Sequence, residues 1–350
     1  MDLHRASRRM FAALATVGLV LAALLVFFPE ASLSRWMSTR LLLAQALAFP
    51  ALTGGALILL GTVALVLSMT VQSLRRIGVV TAALALAVLG AGLAAFPAGP
   101  PWTAGPFAAT GNTGRTLRVT VFNSQDTLTA SDVRELVDVA DPDVLVLPEA
   151  TPSRAVQAMA GTPYATGIHE APDAGFSDGR PWWAAPTVMA VRPRAGAYKD
   201  TAPTPSTFGA LRLEPLSGAA APVLVGVHTA PPLPRTMDAW RADLNRLGGL
   251  DNTTGDGPVI LAGDLNATLR HGALTARAHL VDTAQQCTDH VGGTWPAAAP
   301  AWARAPIDHV LVSTDIEVLS CSTHLLGSSD HLAYSVELRL PPFPPAKGEG

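Results

Sequence analysis

The sequence predicts an α/β domain preceded by three membrane-spanning helices. Three long apolar runs without charged residues occupy most of the first hundred of the 350 residues. After them, short runs rich in β-branched residues alternate with helical patterns, which is typical of an α/β domain. Polar side chains that could carry chemistry follow the ends of several of these short runs.

The three apolar runs have the length of membrane spans. The first, about 10–28, is long enough to cross a hydrocarbon core of about 30 Å. The second run is too long for one straight crossing. Pro50 and the pair Gly54-Gly55 are expected to break it, which leaves about 51–70 as the span. The third run, about 77–96, follows a tight turn. Together these runs predict a membrane anchor over residues 1–96.

The placement of arginine predicts the orientation of this anchor. Five arginines lie on one side of the runs, whereas only Arg35 and Arg40 lie on the other. The positive-inside rule then places the N-terminus in the cytoplasm and the chain after residue 96 outside. We therefore predict a multi-pass protein of the cell membrane with an extracytoplasmic α/β domain.

The remainder of the chain divides into a linker, one large domain and a tail. Residues 97–116 are rich in Pro, Gly and Thr and lack an apolar period, which predicts a linker. Residues 117–340 are expected to form the α/β domain, and residues 341–350 a disordered tail.

Charge is distributed unevenly between these parts. Only 15% of the residues are charged, against roughly 25% in typical globular domains. Residues 1–100 carry a balance of +5 and residues 101–350 a balance of −8. Because general nucleic-acid binding needs a basic surface, the acidic second part disfavours a nucleic-acid partner.

Seven short runs predict strands, and two segments predict helices. One helix is expected to start with a capping signal at Ser131, and the other covers Met237–Leu247. The predicted strands are Leu117–Asn123, Val144–Pro148, Thr187–Val191, Val223–His228, Val259–Ala262, Ile307–Val312 and Leu332–Leu338.

Acids, amides and imidazoles stand at the ends of these strands. Functional sites concentrate there, because a rigid backbone meets an open cleft at the strand ends of α/β sheets. Any one such residue is more often a turn former, a helix cap or a buried structural group. Taken together, these strand-end residues indicate a functional site. They are Asn123, Glu149, His228, Asp264, Asn266, Asp308, Asp330 and His331.

The two cysteines leave two readings open. Cys287 and Cys321 could pair in an oxidising compartment and close a loop of about 35 residues. They could equally be two buried free thiols, since two cysteines do not define a disulfide framework.

The ordered motifs resemble the endonuclease/exonuclease/phosphatase superfamily, which includes DNase I-like nucleases, sphingomyelinases and inositol-phosphate 5-phosphatases. The resemblance covers about 117–340 and implies a two-sheet α/β sandwich of the DNase I-like kind. With its three-span anchor, the chain also resembles the membrane-anchored, VanJ-like members found in actinobacteria. Each motif is common alone, but six in order are specific. They are Asn123, Pro148-Glu149, His228-Thr229, Gly263-Asp264-Leu265-Asn266, Ile307-Asp308 and Ser329-Asp330-His331.

The resemblance implies metal-dependent hydrolysis of a phosphoester or phosphoanhydride. Asn123, Glu149 and Asp330 would bind Mg²⁺ or Mn²⁺, since Mg²⁺ prefers hard oxygen ligands and needs only one or two carboxylates. The cation would neutralise the non-bridging oxygens of the substrate.

The same resemblance assigns catalytic roles to the remaining residues. Asp264 would act as the base or orient the attacking water, and Asn266 would position water and phosphate. Asp308 would bond one ring nitrogen of His331, so that the other nitrogen faces the scissile phosphate. His228 would donate to a phosphate oxygen.

These expectations lead to a membrane-anchored phosphohydrolase acting outside the cytoplasm. Its partners would be the cytoplasmic membrane and a lipid-linked phosphate or pyrophosphate such as undecaprenyl pyrophosphate, because tethering raises the effective concentration of a substrate in the same membrane. No protein partner is predicted. An anchored extracellular nuclease or phosphodiesterase of the same fold is the first alternative, and a non-catalytic sensor is the second.

Overall fold

The computed structural model describes residues 2–70, 77–97, 114–171, 184–216, 221–250, 257–275, 279–287 and 292–342. They form two compact units. The helical unit comprises Met1–Thr103 with Leu269–Thr275, and the α/β unit comprises Ala104–Thr268 with Ala276–Gly350. Most of the predicted linker and most of the predicted tail lie outside the described residues.

The helical unit contains five α-helices among its described residues. Pro50 begins the fourth helix, a position where its missing N–H costs nothing, so the predicted break at this proline is confirmed. The predicted break at Gly54-Gly55 is wrong, because both glycines lie inside this helix, where Gly54 allows a close approach to the backbone of Gly90. The helices are α1 (Asp2–Phe27), α2 (Ser32–Ser38), α3 (Leu43–Ala48), α4 (Pro50–Thr70) and α5 (Ile77–Ala95).

Two of these helices are long and apolar enough to cross a membrane. They are Pro50–Thr70 and Gly78–Ala95, each with a mean hydropathy of 2.1. The pair Ala12–Phe27 and Ser32–Ser38, bent by 94°, gives a third candidate if it counts as one span. The described residues therefore contain two or three candidate spans, and the number three stays a prediction.

Small residues set the packing of α4 on α5. A Cβ atom on Gly54 would lie only 2.6 Å from the carbonyl oxygen of Gly90, and a Cβ on Gly90 would in turn meet the backbone of Gly54. Glycines that let two helix backbones approach closely are typical of helix pairs in membranes.

The α/β unit contains twelve strands and three α-helices among its described residues. Helices α6 (Ala130–Ala140), α7 (Pro152–Met159) and α8 (Met237–Leu250) alternate with the strands. The strands are β1 (Thr116–Val121), β2 (Val144–Leu147), β3 (Ile168–Glu170), β4 (Val188–Val191), β5 (Tyr198–Thr201), β6 (Ala210–Pro215), β7 (Val223–His228), β8 (Val259–Asp264), β9 (Leu280–Asp282), β10 (Asp308–Ser313), β11 (Glu317–Leu325) and β12 (Leu332–Arg339).

The strands form two six-stranded mixed sheets. Their orders are β11-β12-β1-β2-β4-β3 and β5-β6-β7-β8-β10-β9. One buried cluster contains side chains from both sheets, such as Val119 and Val146 from the first and Ile260 and Val310 from the second. This arrangement is the expected two-sheet α/β sandwich.

The register of the second sheet aligns three of the predicted site residues. In the parallel pair β7–β8, His228 is opposite Asp264. In the antiparallel pair β10–β8, Asp308 is opposite the same Asp264. Because β8 lies between the other two strands, their side chains are brought together at one edge of the sheet.

All seven predicted strands are present, and five further strands were not predicted. The missed strands are β3, β5, β6, β9 and β11. β3 and β9 have only three residues each, and Lys199 and Asp200 are exposed in the middle of β5. Helix α7 was also missed.

The cap of α6 differs from its prediction. The N-cap is Thr129, two residues before Ser131, and Thr129 Oγ1 accepts a hydrogen bond from the Asp132 backbone N–H at 3.2 Å. Asp132 in return accepts from the Thr129 backbone N–H at 2.8 Å. This reciprocal capping box satisfies two otherwise unpaired donors, which explains the earlier start.

The two cysteines form a disulfide bond. Cys287 and Cys321 are bonded, with their Cα atoms 5.8 Å apart. Of the two readings that the sequence left open, the structure therefore contains the paired one.

Gly263, directly before Asp264, is expected to tolerate no side chain. Its φ is +154°, and a Cβ there would overlap the carbonyl oxygen of Val227 on the neighbouring strand. We expect Gly263→Ala to lower the free energy of unfolding by about 2 kcal/mol, the usual cost of such backbone strain. Thermal unfolding of the full chain in detergent, followed by circular dichroism, measures this change.

Gly249→Ala is the matched control for that substitution. Gly249 is exposed in α8, and a Cβ there would have no atom within 4 Å. Because alanine is a better helix former, this variant should be unchanged or more stable by up to about 1 kcal/mol. Equal unfolding temperatures for the two variants would contradict the assignment of strain to Gly263.

Candidate active site

The amide of Asn123 connects the two sheets at the candidate site. Asn123 follows β1 in the first sheet, and Glu149 follows β2 beside it. The Asn123 Nδ2 atom donates to Glu149 Oε1 at 3.1 Å and to Asp264 Oδ2 at 3.0 Å. Since Asp264 ends β8 in the second sheet, one side chain joins carboxylates from both sheets.

His331 and Asp308 form a buried hydrogen-bonded pair. His331 Nδ1 lies 2.8 Å from Asp308 Oδ2. The other ring nitrogen, Nε2, lies 3.8 Å from Asp264 Oδ2 and 3.9 Å from Asp330 Oδ1. Burial by itself would lower the pKa of His331, but the Asp308 carboxylate, assisted by Asp264 and Asp330, raises that pKa to about 10. The imidazole is therefore charged at neutral pH.

His228 has the opposite protonation behaviour. Its side chain is 1% exposed, and its Nε2 atom lies 3.7 Å from Asp264 Oδ2 and 3.4 Å from Asn266 Nδ2. Burial, together with the positive charge of His331, lowers the pKa of His228 to about 3. The ring is therefore neutral at pH 7 and offers one N–H donor and one acceptor.

Two carboxylates of the site, those of Asp264 and Glu149, resist ionisation. Burial and the neighbouring Asp308 carboxylate raise the pKa of Asp264 to about 7, despite the opposing effects of His331 and Asn123. Burial also raises the pKa of Glu149, and the carboxylates of Asp330 and Asp308 add to that rise. Negative charge is thus crowded at this edge of the sandwich.

Left-handed backbone conformations direct two of the side chains. Glu149 has a φ of +51° and Asn266 a φ of +44°, values that cost energy in residues other than glycine. At Asn266 the turn is stabilised because its backbone N–H donates to Asp264 Oδ1 at 2.8 Å. The Asn266 side chain then donates to the Thr229 carbonyl at 3.0 Å.

The structure brings all eight predicted residues into one connected cluster. Asn123, Glu149, His228, Asp264, Asn266, Asp308 and His331 are linked by the contacts described above. Asp330 lies at the margin of the cluster, with its side chain 45% exposed.

Two tryptophans that the sequence did not single out position site residues. Trp240 Nε1 donates to the Asn266 carbonyl oxygen at 3.1 Å, and Trp295 Nε1 donates to Asp330 Oδ2 at 2.9 Å. Trp240 could have been noticed as a large residue on the predicted helix Met237–Leu247. Trp295 lies in an irregular segment, where the sequence contains no such signal.

The oxygen atoms of Asn123, Glu149 and Asp330 are ligands that suit a divalent cation. Asp264, Asp308 and His331 can each direct one ligand atom to within 4.8 Å of the others. Asp308 Oδ2 and His331 Nδ1 are already hydrogen-bonded to each other. Glu149 and Asp330 offer hard oxygens beside Asn123, whose Oδ1 accepts from the Gln125 N–H at 3.0 Å and keeps a second lone pair. A bound cation would also relieve the crowding of carboxylates.

A two-sheet sandwich with carboxylates, amides and imidazoles clustered at its strand ends has the fold and the site of a hydrolase. The chain matches the Endonuclease/Exonuclease/phosphatase family over residues 121–331, which is more than half of its length. The chain therefore belongs to this family, whose members depend on divalent metals. The resemblance deduced from the six motifs is confirmed, and the likeness to the anchored actinobacterial members stays a prediction.

Solved structures with low sequence identity share the fold. One is an endonuclease/exonuclease/phosphatase from Beutenbergia cavernae DSM 12333, at 21% identity and a TM-score of 0.50, with 66% of this chain and 73% of that chain covered. Another is D. rerio TDP2 complexed with a single-strand DNA product, at 17% identity and a TM-score of 0.51, with 64% and 99% covered. No curated protein matches the chain.

Replacing Asp308 by asparagine is expected to abolish the high pKa of His331. In Asp308→Asn the carboxylate that opposes burial is lost, so the pKa of His331 should fall from about 10 toward or below 6.5. Nuclear magnetic resonance of the imidazole signals in protein freed of metal by chelation would follow this titration. Asp238→Asn, an exposed position on α8, is the control and should leave the pKa of His331 near 10.

The raised pKa of His331 also makes the stability of the folded protein depend on pH. Because the pKa of His331 is raised in the folded state, its contribution to stability is fully present below about pH 6.5 and is lost as the pH rises toward 10. Unfolding of the metal-free wild type should therefore become easier over this range, and less so in Asp308→Asn. An identical pH dependence in both proteins would contradict the pairing.

Proposed function

We propose that this protein is a membrane-anchored, metal-dependent phosphohydrolase that acts outside the cytoplasm on a lipid-linked phosphate or pyrophosphate. The main observation behind the proposed chemistry is that His331 Nε2 lies 3.8 Å from Asp264 Oδ2. A carboxylate with a pKa of about 7 and an imidazole with a pKa of about 10 form an acid–base pair in which, at neutral pH, the carboxylate is partly ionised and the imidazole is charged.

The acid–base pair suits attack by water on phosphorus. Asp264, partly ionised near pH 7, would take a proton from the attacking water as the new P–O bond forms. His331, held by Asp308, would donate a hydrogen bond to a phosphate oxygen as negative charge accumulates on it. The bond to the leaving oxygen then breaks. When water attacks the terminal phosphorus of a lipid pyrophosphate, this oxygen departs on the lipid monophosphate, and the attacked phosphorus is released as inorganic phosphate.

Other residues of the cluster would orient the reacting groups. Asn266, fixed by Trp240 and Thr229, would position the phosphate and water. Neutral His228 would offer an N–H to a further oxygen. Asn123, Glu149 and Asp330 would hold Mg²⁺ or Mn²⁺, which supplies positive charge to the non-bridging oxygens.

The helical unit supports a substrate that resides in a membrane. Two or three of its helices are apolar and long enough to span a bilayer. An anchor raises the effective concentration of a substrate in the same membrane but brings no such benefit for a freely diffusing nucleotide. The excess of arginine on one side of the spans supports an extracytoplasmic domain.

Hydrolysis of undecaprenyl pyrophosphate tests the proposal. We expect the detergent-purified full chain to release phosphate with Mg²⁺, to lose this activity on chelation and to recover it when Mg²⁺ is restored. Asp264→Asn and His331→Ala should each lower the rate at least about 100-fold, as typically follows loss of a group that stabilises the transition state. His324→Ala on β11 is the control and should keep the rate within about twofold.

The outcomes separate the candidate functions. An absence of phosphate release, with metal shown to be bound, would overturn the lipid-pyrophosphate proposal. Plasmid nicking by the wild type that Asp264→Asn abolishes would then favour the anchored nuclease. Wild-type activity that both site variants retain would overturn the assignment of the acid–base pair.

A further inference from the structure

A short segment far along the chain belongs to the helical unit. Residues Leu269–Thr275 cluster with Met1–Thr103, whereas the residues on both sides of them belong to the α/β unit. The segment begins three residues after Asn266, the residue that we expect to position phosphate and water. The chain therefore enters the helical unit directly after the motif Gly263–Asn266.

Arg270 makes the principal contacts of this segment. Its side chain is 1% exposed. The guanidinium donates to the carbonyl oxygens of Val26 at 3.1 Å and Pro97 at 3.3 Å, and also to that of Phe96. Burial lowers the pKa of Arg270 only to about 10, so the group is charged at neutral pH.

The three acceptors belong to the C-terminal ends of two helices. Val26 is in the last turn of α1, and Phe96 directly follows the end of α5. The last carbonyls of a helix lack partners within the helix and carry partial negative charge. One buried cation therefore caps α1 and α5 together, which requires both helices to end on the same side of the helical unit.

The residues after Arg270 bind the connection between α1 and α4. His271 Nε2 lies 3.0 Å from the carbonyl oxygen of Ala44 in α3, and the Gly272 N–H donates to Ser38 Oγ at 3.0 Å at the end of α2. The segment is thus held at three places in the helical unit. All of these bonds involve buried groups, so water does not replace them freely.

We propose that Arg270 is a positioning residue that clamps the chain leaving the catalytic motif to the ends of α1 and α5, so that hydrolysis of a substrate embedded in a bilayer depends on it. This inference rests on the proposed function. Arg270 is the fourth residue after Asn266, so the chain between them can span about 14 Å at most. Without the clamp, the chain that follows Asn266 would no longer be held at the ends of α1 and α5.

Two substrates tested on the same reconstituted protein measure this dependence. One is undecaprenyl pyrophosphate embedded in phosphatidylglycerol vesicles, and the other is the water-soluble bis(4-nitrophenyl) phosphate. For Arg270→Ala we expect the rate on the embedded lipid to fall at least about tenfold, as when hydrogen bonds from a charged group are lost. The rate on the soluble ester should stay within about twofold, which also shows that the variant folds.

Two further variants sharpen the comparison. Arg270→Lys keeps the charge but lacks the planar fork that reaches several carbonyls, so its rate on the embedded lipid should lie between those of the wild type and Arg270→Ala. Arg235→Ala removes an exposed arginine of the α/β unit and should change neither rate. An equal fall on both substrates, or no fall on either, would overturn the proposal.

Hydrogen–deuterium exchange gives a readout that does not depend on activity. In the full chain, Arg270→Ala should speed exchange of the amides in 269–275 and at the end of α5 by at least about tenfold relative to Arg235→Ala. Unchanged exchange would overturn the clamp itself. If the wild type hydrolyses only the soluble ester, the proposed lipid substrate fails, and the exchange result still decides whether Arg270 clamps the segment.

Discussion

The buried carboxylate of Asp264 is the group around which the candidate site is built. An unpaired charge at this depth costs several kcal/mol, so the fold must supply partners for it. The Asn123 amide and the Asn266 N–H donate to it at 3.0 and 2.8 Å. Because Asn123 follows a strand of the first sheet and Asp264 ends a strand of the second, these bonds couple the packing of the sandwich to the geometry of its chemistry.

The same carboxylate is flanked by two histidines whose protonation states are opposite. Asp308 keeps His331 protonated, whereas burial keeps His228 neutral beside it. A donor with positive charge and a neutral donor are therefore available within one small volume. Burial and the neighbouring carboxylate of Asp308 make Asp264 and Glu149 harder to ionise in the metal-free protein, which is a cost in stability that a cation would offset.

The helical unit is stabilised in a different way from the sandwich. Its helices approach closely through glycines such as Gly54 and Gly90, since lipid surroundings provide little hydrophobic drive for helices to associate. Its helix ends are capped by Arg270, a residue that is distant in sequence. A cation is well suited to this position, because it pairs with helix C-termini without needing a carboxylate in an apolar region.

The sequence by itself determined the apolar runs, the seven strands with strong β patterns and the ordered motifs, because burial of a strand or a span requires a local pattern of residues. Edge strands such as β5 and the cap at Thr129 were missed, since their stability comes from pairing and reciprocal hydrogen bonds rather than from apolar period. Only the tertiary structure decided that Asn123 joins the two sheets, that Trp295 holds Asp330, that the cysteines pair and that Arg270 caps two helices. Contacts between residues so far apart in the chain depend on strand register and packing, which local sequence does not encode.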